Sequence, residues 1–201
     1  MSKFTEIPQL RNQQANIISP AEFMEWNRQF RKEVFGIEIN MKLHIPTASP
    51  EFGFVLVNPK GLTIQRRFDV AKEMFDGAAS NWTNGNLDDV VTDNDRDPQQ
   101  ESIIRLRPNI EADEQFVNIS ADKLTKINHT GICLHERIDF ETFVFWLTGD
   151  HCDLKNVTLC SGSRYSGGDV PYVSWSGGEL LVGWNGASFS LVSLRSRKVV
   201  S

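Results

Sequence analysis

Apolar positions recur at helical spacing from Phe23 onward. Phe23, Trp26, Phe30 and Val34 make one stripe, while Glu25, Arg28 and Lys32 fall on the opposite side. Ser19-Pro20-Ala21-Glu22 just ahead of the stripe is a capping box with proline at the first helical position. Gly36 is the natural stop, because glycine tolerates the left-handed conformation. The period then changes to two. Ile37, Ile39, Met41, Leu43 and Ile45 alternate with Glu38, Asn40, Lys42 and His44, which predicts a half-buried strand ended by Pro46. Phe52, Phe54 and Leu56 predict a second strand. Asn58-Pro59-Lys60-Gly61 predicts a turn, and Leu62 with Ile64 a third strand. These three are expected to form an antiparallel sheet beneath the first helix. A second helix is expected over 69–76, ended by Gly77.

Periodicity then lapses into Gly, Asn, Asp and Ser through 77–100, the pattern of a long surface loop. The chain reads as a single domain over 1–201, and 78–100 is where it would divide if it divided anywhere. Strands are expected at 103–107, 116–119 and 132–138. The segment 139–149 reads as a helix capped by Asp139 and ended by Gly149, although Phe143, Phe145 and Leu147 also suit a strand.

The C-terminal pattern is the most specific. Gly177-Gly178 and Asn185-Gly186 are two-residue hairpin turns, which need positive φ at their centres. Those turns set a register in which Trp175 faces Leu180, Val173 faces Val182, Trp184 faces Ala187, Val182 faces Phe189 and Leu180 faces Leu191. All these residues share one face, expected to be buried. Tyr172, Ser174, Ser176, Glu179, Ser188 and Ser190 share the other, with Leu181 and Val192 as its exceptions. A one-residue slip would bury the serines, so a three-stranded meander over 170–194 is expected. The fold class is therefore α+β: an N-terminal helix on a three-stranded antiparallel sheet, and a β-rich C-terminal half ending in the meander.

Composition changes this picture little. The 201 residues are 40% hydrophobic and 23% charged, within the ordinary globular range. The formal net charge of −5 argues against a nucleic-acid partner, because phosphate binding is driven by clustered Lys and Arg. No apolar run reaches the length of a bilayer crossing, so no membrane partner is expected. No secretory signal is legible, and three cysteines do not suggest a disulfide framework. A cytoplasmic location is the expectation.

Three constellations are chemically suggestive. All three cysteines and three of the four histidines fall between His129 and Cys160. Cys133, His135, His151 and Cys152 are the candidate zinc set, since zinc prefers thiolate and imidazole; the spacing matches no standard finger, and the competing reading is buried thiols and ordinary polar histidines. Asp93, Asp95 and Asp97 have the alternate spacing of a calcium loop, but Pro98 stands where glycine is needed and Ile104 where a bidentate Glu is needed; a solvated acidic turn competes. The stretch 160–169 is Gly- and Ser-rich. Its Arg164 and Tyr165, with Trp82 from the 77–100 loop, are the candidate ligand-binding residues, with plain turn formation as the competing reading. No catalytic triad or P-loop is legible, and no cofactor is called for unless zinc or calcium binds.

Three function classes follow. The first is a non-enzymatic binding or protein-interaction domain, with a protein partner or a second copy. The second is a zinc enzyme built on the cluster at 129–160. The third is a structural or assembly subunit.

Overall fold

The computed structural model describes residues 19–40, 42–83 and 85–201. Helix α1 (Pro20–Phe35) starts at the expected capping box. The Ser19 side chain accepts from the Glu22 amide, and the Glu22 carboxylate accepts from the Ser19 amide at 2.9 Å. Gly36 ends the helix at φ 69°. Phe23, Phe30 and their neighbours pack on strand β1 (Phe54–Asn58). The carboxamide of Asn27 imitates a strand on the free edge of β1: its Nδ2 donates to Val55 O at 2.9 Å, and Oδ1 accepts from Val57 N at 2.9 Å. Edge amides that would otherwise invite another chain are covered in this way.

Helix α2 (Ile64–Met74), strand β2 (Ala79–Asn81), the single turn α3 (Leu87–Val90) and strand β3 (Asp93–Asn94) follow. Strand β4 (Ser102–Leu106), a 3-10 turn (Glu114–Phe116), α4 (Ala121–Lys126) and α5 (Leu134–Thr148) lead to strands β5 (Val157–Leu159), β6 (Ser163–Arg164), β7 (Val170–Ser176), β8 (Glu179–Asn185), β9 (Leu194–Ser196) and β10 (Val199–Val200). Among the described residues these strands form three sheets: β1-β4-β10, all antiparallel; β2-β8-β7-β5-β9, mixed; and the small pair β3-β6. The class is α+β, with the first helix on a three-stranded antiparallel sheet and a sheet of C-terminal strands. Helix α5 runs through the middle. Phe140 and Phe143 pack against Phe54, and Leu134 and Ile138 against the hairpin of β7 and β8.

Several elements differ from expectation, each for a local reason. The alternating stretch 37–45 is not a strand. Asn40 turns the chain, its Oδ1 accepting from Lys42 N at 3.0 Å, and Ile39 is nonetheless buried in the core; Met41 lies outside the described residues. The sheet under α1 is thus built from β1, β4 and the distant β10 instead. Leu62 and Ile64 do not form a strand, because Thr63 caps α2 and its Oγ1 accepts from Arg66 N. That helix begins five residues earlier than expected and ends near Gly77 as expected. The 77–100 segment is not a plain loop: β2 pairs with β8, β3 with β6, and α3 lies between them. The 116–119 segment follows a 3-10 turn rather than forming a strand. Within the 132–138 segment, 134–138 belongs to α5, whose N-cap is Cys133 rather than Asp139; Gly149 ends it at φ 75°.

The first hairpin has the expected register, Trp175↔Leu180 and Val173↔Val182, with Gly177 and Gly178 both at positive φ. The third strand of the meander does not form. Residues 186–193 turn away, and β8, which that strand would have joined, takes β2 as its other neighbour.

Candidate functional site

Helix α5 carries charge on an element buried along most of its length. Asp139 accepts from Arg31 Nη1 and Nη2, both at 2.8 Å, and from Arg67 Nε at 2.9 Å. Burial alone would raise the Asp139 carboxyl, but the two guanidiniums outweigh it and hold the group below the usual carboxylate range. Arg137 donates to Glu141 at 2.9 Å and Asp153 at 2.8 Å, and Arg197 donates to Asp153 at 2.7 Å. Asp153 is likewise held low: burial raises it, and Arg197 with Arg137 overcomes that. Arg96 spans Glu136 at 2.8 Å and Gly131 O at 2.7 Å, tying the segment after β3 to the start of α5. Ions buried this completely persist only when each has its partner. The network is a structural hub that joins α1, α2, the β3 region and the C-terminus to one helix.

The four candidate zinc residues fall into two pairs along this helix. Cys133 caps α5, and its thiol donates to Gly162 O at 3.1 Å. His135 lies in the first turn and is wholly buried, with neither ring nitrogen hydrogen-bonded among the described residues. Burial, then Arg67, Arg96 and Arg31, pushes its pKa well below the ordinary histidine value. His151 and Cys152 instead sit beside Glu141, a further six residues and about 9 Å along the helix axis. His151 Nδ1 lies 3.0 Å from Glu141 Oε1, its ring stacked on Trp175 at 3.2 Å between centroids and on Phe145 at 4.7 Å. Burial raises the thiols of Cys133, Cys152 and Cys160 above their usual range, so they are held as protonated, unreactive groups. Among the described residues, no three His, Cys, Asp or Glu side chains are placed to hold a metal ion.

Asp93, Asp95 and Asp97 are exposed. Strand β3 pairs Asp93 with Arg164, the Asp95 amide donates to Gly162 O at 2.8 Å, and Asp97 Oδ1 accepts from Gln99 N at 2.8 Å. Arg164 folds onto its own loop, Nη1 donating to Ser161 O and Ser163 O at 2.7 and 2.8 Å. Tyr165 is buried, and burial pushes its hydroxyl up to about 12. Trp82 is 57% exposed and meets Tyr172 edge-on at 5.7 Å, across Gly183. Arg164 is thus engaged with its own loop, Tyr165 with the core and Trp82 with Tyr172.

Two arrangements escaped the sequence reading. The first is an exposed apolar segment. Trp184, Phe189, Leu191 and Val192 are 45%, 45%, 49% and 68% exposed, where burial had been expected for the first three. The second is a chain of hydroxyls. His129 Nε2 lies 2.9 Å from Ser196 Oγ, which lies 3.0 Å from Ser161 Oγ. Nothing in the spacing of 129, 161 and 196 announces it, because it depends on pairings made between distant strands. A signal for the buried network does exist. Asn27 and Arg31 fall on the same helical face as Phe23, Phe30 and Val34, so two polar groups were already placed on the buried stripe.

No protein-family model matches the chain, and neither does any curated protein or solved structure. Among the described residues, no helix is long and apolar enough to cross a membrane.

Proposed function

We propose that the protein is an interaction domain that docks another protein through the segment 184–192. One observation supports this reading most directly: four large apolar side chains are nearly half exposed or more within nine consecutive residues. Isolated exposed hydrophobics are ordinary, whereas a group of them marks a surface that another molecule covers. Turns hold the segment in place, with Phe189 N donating to Gly186 O and Leu194 N to Leu191 O, both at 2.9 Å. Asp122 N donates to Ala187 O at 3.0 Å and fixes it against α4. The buried charges of α5 act within the fold and present nothing to a ligand, which leaves this surface as the better candidate.

The partner is expected to offer an apolar surface of its own. A photo-crosslinking residue placed at Phe189 tests this, with Lys126 as the control position. The expected result is one defined protein adduct at 189, absent at 126 and lost with Trp184→Ser. Adduct of the chain with itself would make the partner a second copy. The same diffuse pattern from both positions would overturn the proposal.

A further inference from the structure

Ser161 lies in the Gly- and Ser-rich loop after β5, Ser196 ends β9, and His129 follows α4. Strand pairing brings them together. Leu159 sits opposite Ser196 in the parallel pair β5-β9, and the bridge between Gly131 and Lys198 lays the segment after His129 alongside. Gly131 is needed at the crossing: a Cβ there would stand 1.8 Å from Ser161 Oγ and 3.3 Å from Ser196 Oγ. The two hydroxyls and the imidazole then form one hydrogen-bonded line, 3.0 Å and 2.9 Å between heavy atoms. Ser196 is buried in its middle, while Ser161 and His129 at the two ends are only partly buried. Serine becomes a nucleophile when a base takes up its proton, and here the base is joined to Ser161 by hydrogen bonds through Ser196.

We propose that Ser161 is a nucleophile for acyl transfer, activated by His129 through Ser196, with activated carboxylic esters as its substrate class. The Ser161 oxygen forms a bond to the acyl carbon as its proton passes to Ser196, whose own proton passes to His129 Nε2. Collapse of the tetrahedral intermediate breaks the bond to the leaving group, and the proton returns along the same line to the departing oxygen. Water then repeats the steps on the acyl-serine and releases the acid. The class of ester follows from the base. Burial, then Lys198 and Arg107, lower His129 to about 4, so it is neutral and able to accept at pH 7, yet it is a weak base. A weak base suits substrates whose leaving group departs readily.

Ser161 is the catalytic residue here, and Ser196 and His129 are positioning residues. This inference is independent of the docking surface proposed above. The test uses p-nitrophenyl acetate and a fluorophosphonate probe on the full chain, with mass spectrometry to locate the adduct. One adduct on Ser161 is expected, together with p-nitrophenolate release that falls about 100-fold or more in Ser161→Ala and in His129→Ala. Added imidazole is expected to restore fluorophosphonate labelling of Ser161 in His129→Ala, a readout that the reaction of free imidazole with p-nitrophenyl acetate does not touch. Melting curves show that each variant is folded. Absence of an adduct on Ser161 in the wild-type chain, labelling of His129→Ala at the wild-type rate, or failure of imidazole to restore it would overturn the proposal.

Discussion

Arg31 and Asp139, 108 positions apart, form a two-pronged ion pair with both contacts at 2.8 Å and neither side chain exposed. Arg67 reaches the same carboxylate. One aspartate therefore ties α1 and α2 to α5. Asp139→Ala is expected to leave two buried guanidiniums short of their counter-charge and to cost about 3–5 kcal/mol in chemical denaturation. A loss under 1 kcal/mol would show that the pair contributes little.

Acid should destabilise the fold through two histidines, His135 buried and His129 partly buried. His129 is held at about 4 against an ordinary value of 6.5, and His135 is held well below its ordinary value too. A histidine lowered in the folded state favours protonation of the unfolded chain. Its contribution to stability is thus complete above about pH 6.5 and declines as pH falls towards the folded value. The melting temperature should drop steadily from pH 6.5 to pH 4.5, and by less in His129→Gln. An equal drop in that variant would remove His129 as a cause.

Gly183 faces Tyr172 across the hairpin, where an added Cβ would lie 2.3 Å from the ring. Tyr172 is pinned between that backbone and Trp82. Gly183→Ala is expected to destabilise by about 1–3 kcal/mol through overpacking, and to increase the fluorescence change of Trp82 on adding a surface quencher. An unchanged melting midpoint would contradict the close approach.

The start of α1 rests on a reciprocal cap, with Ser19 and Glu22 bonded to each other's amides. Ser19→Ala should cost about 1 kcal/mol. Hydrogen exchange should rise in the first turn of α1 and stay unchanged in α5. Uniform protection in both would show that the cap is redundant.

Some of this protein is written locally. The cap at Ser19, the stop at Gly36, the stop at Gly149 and the first C-terminal hairpin need only neighbours in sequence, and each can be read directly from side-chain chemistry and backbone freedom. The register of Trp175 with Leu180 is of this kind, since a two-glycine turn leaves one pairing that buries the apolar face. Tertiary structure decided the rest. The alternation at 37–45 has the period of a strand but forms none, whereas β10, two residues long, completes the sheet from the far end of the chain. Helix α5 shows no polar face because it is buried along most of its length, so 132–138 resembled a strand. The segment 186–193 keeps its alternation and still leaves the sheet, because β2 occupies the edge of β8 that it would need. Ser161, Ser196 and His129 are likewise ordinary residues until β5 and β9 bring them side by side. Period and capping are short-range properties of the chain; which strands pair, and which charges meet in the interior, depend on contacts that no local window contains.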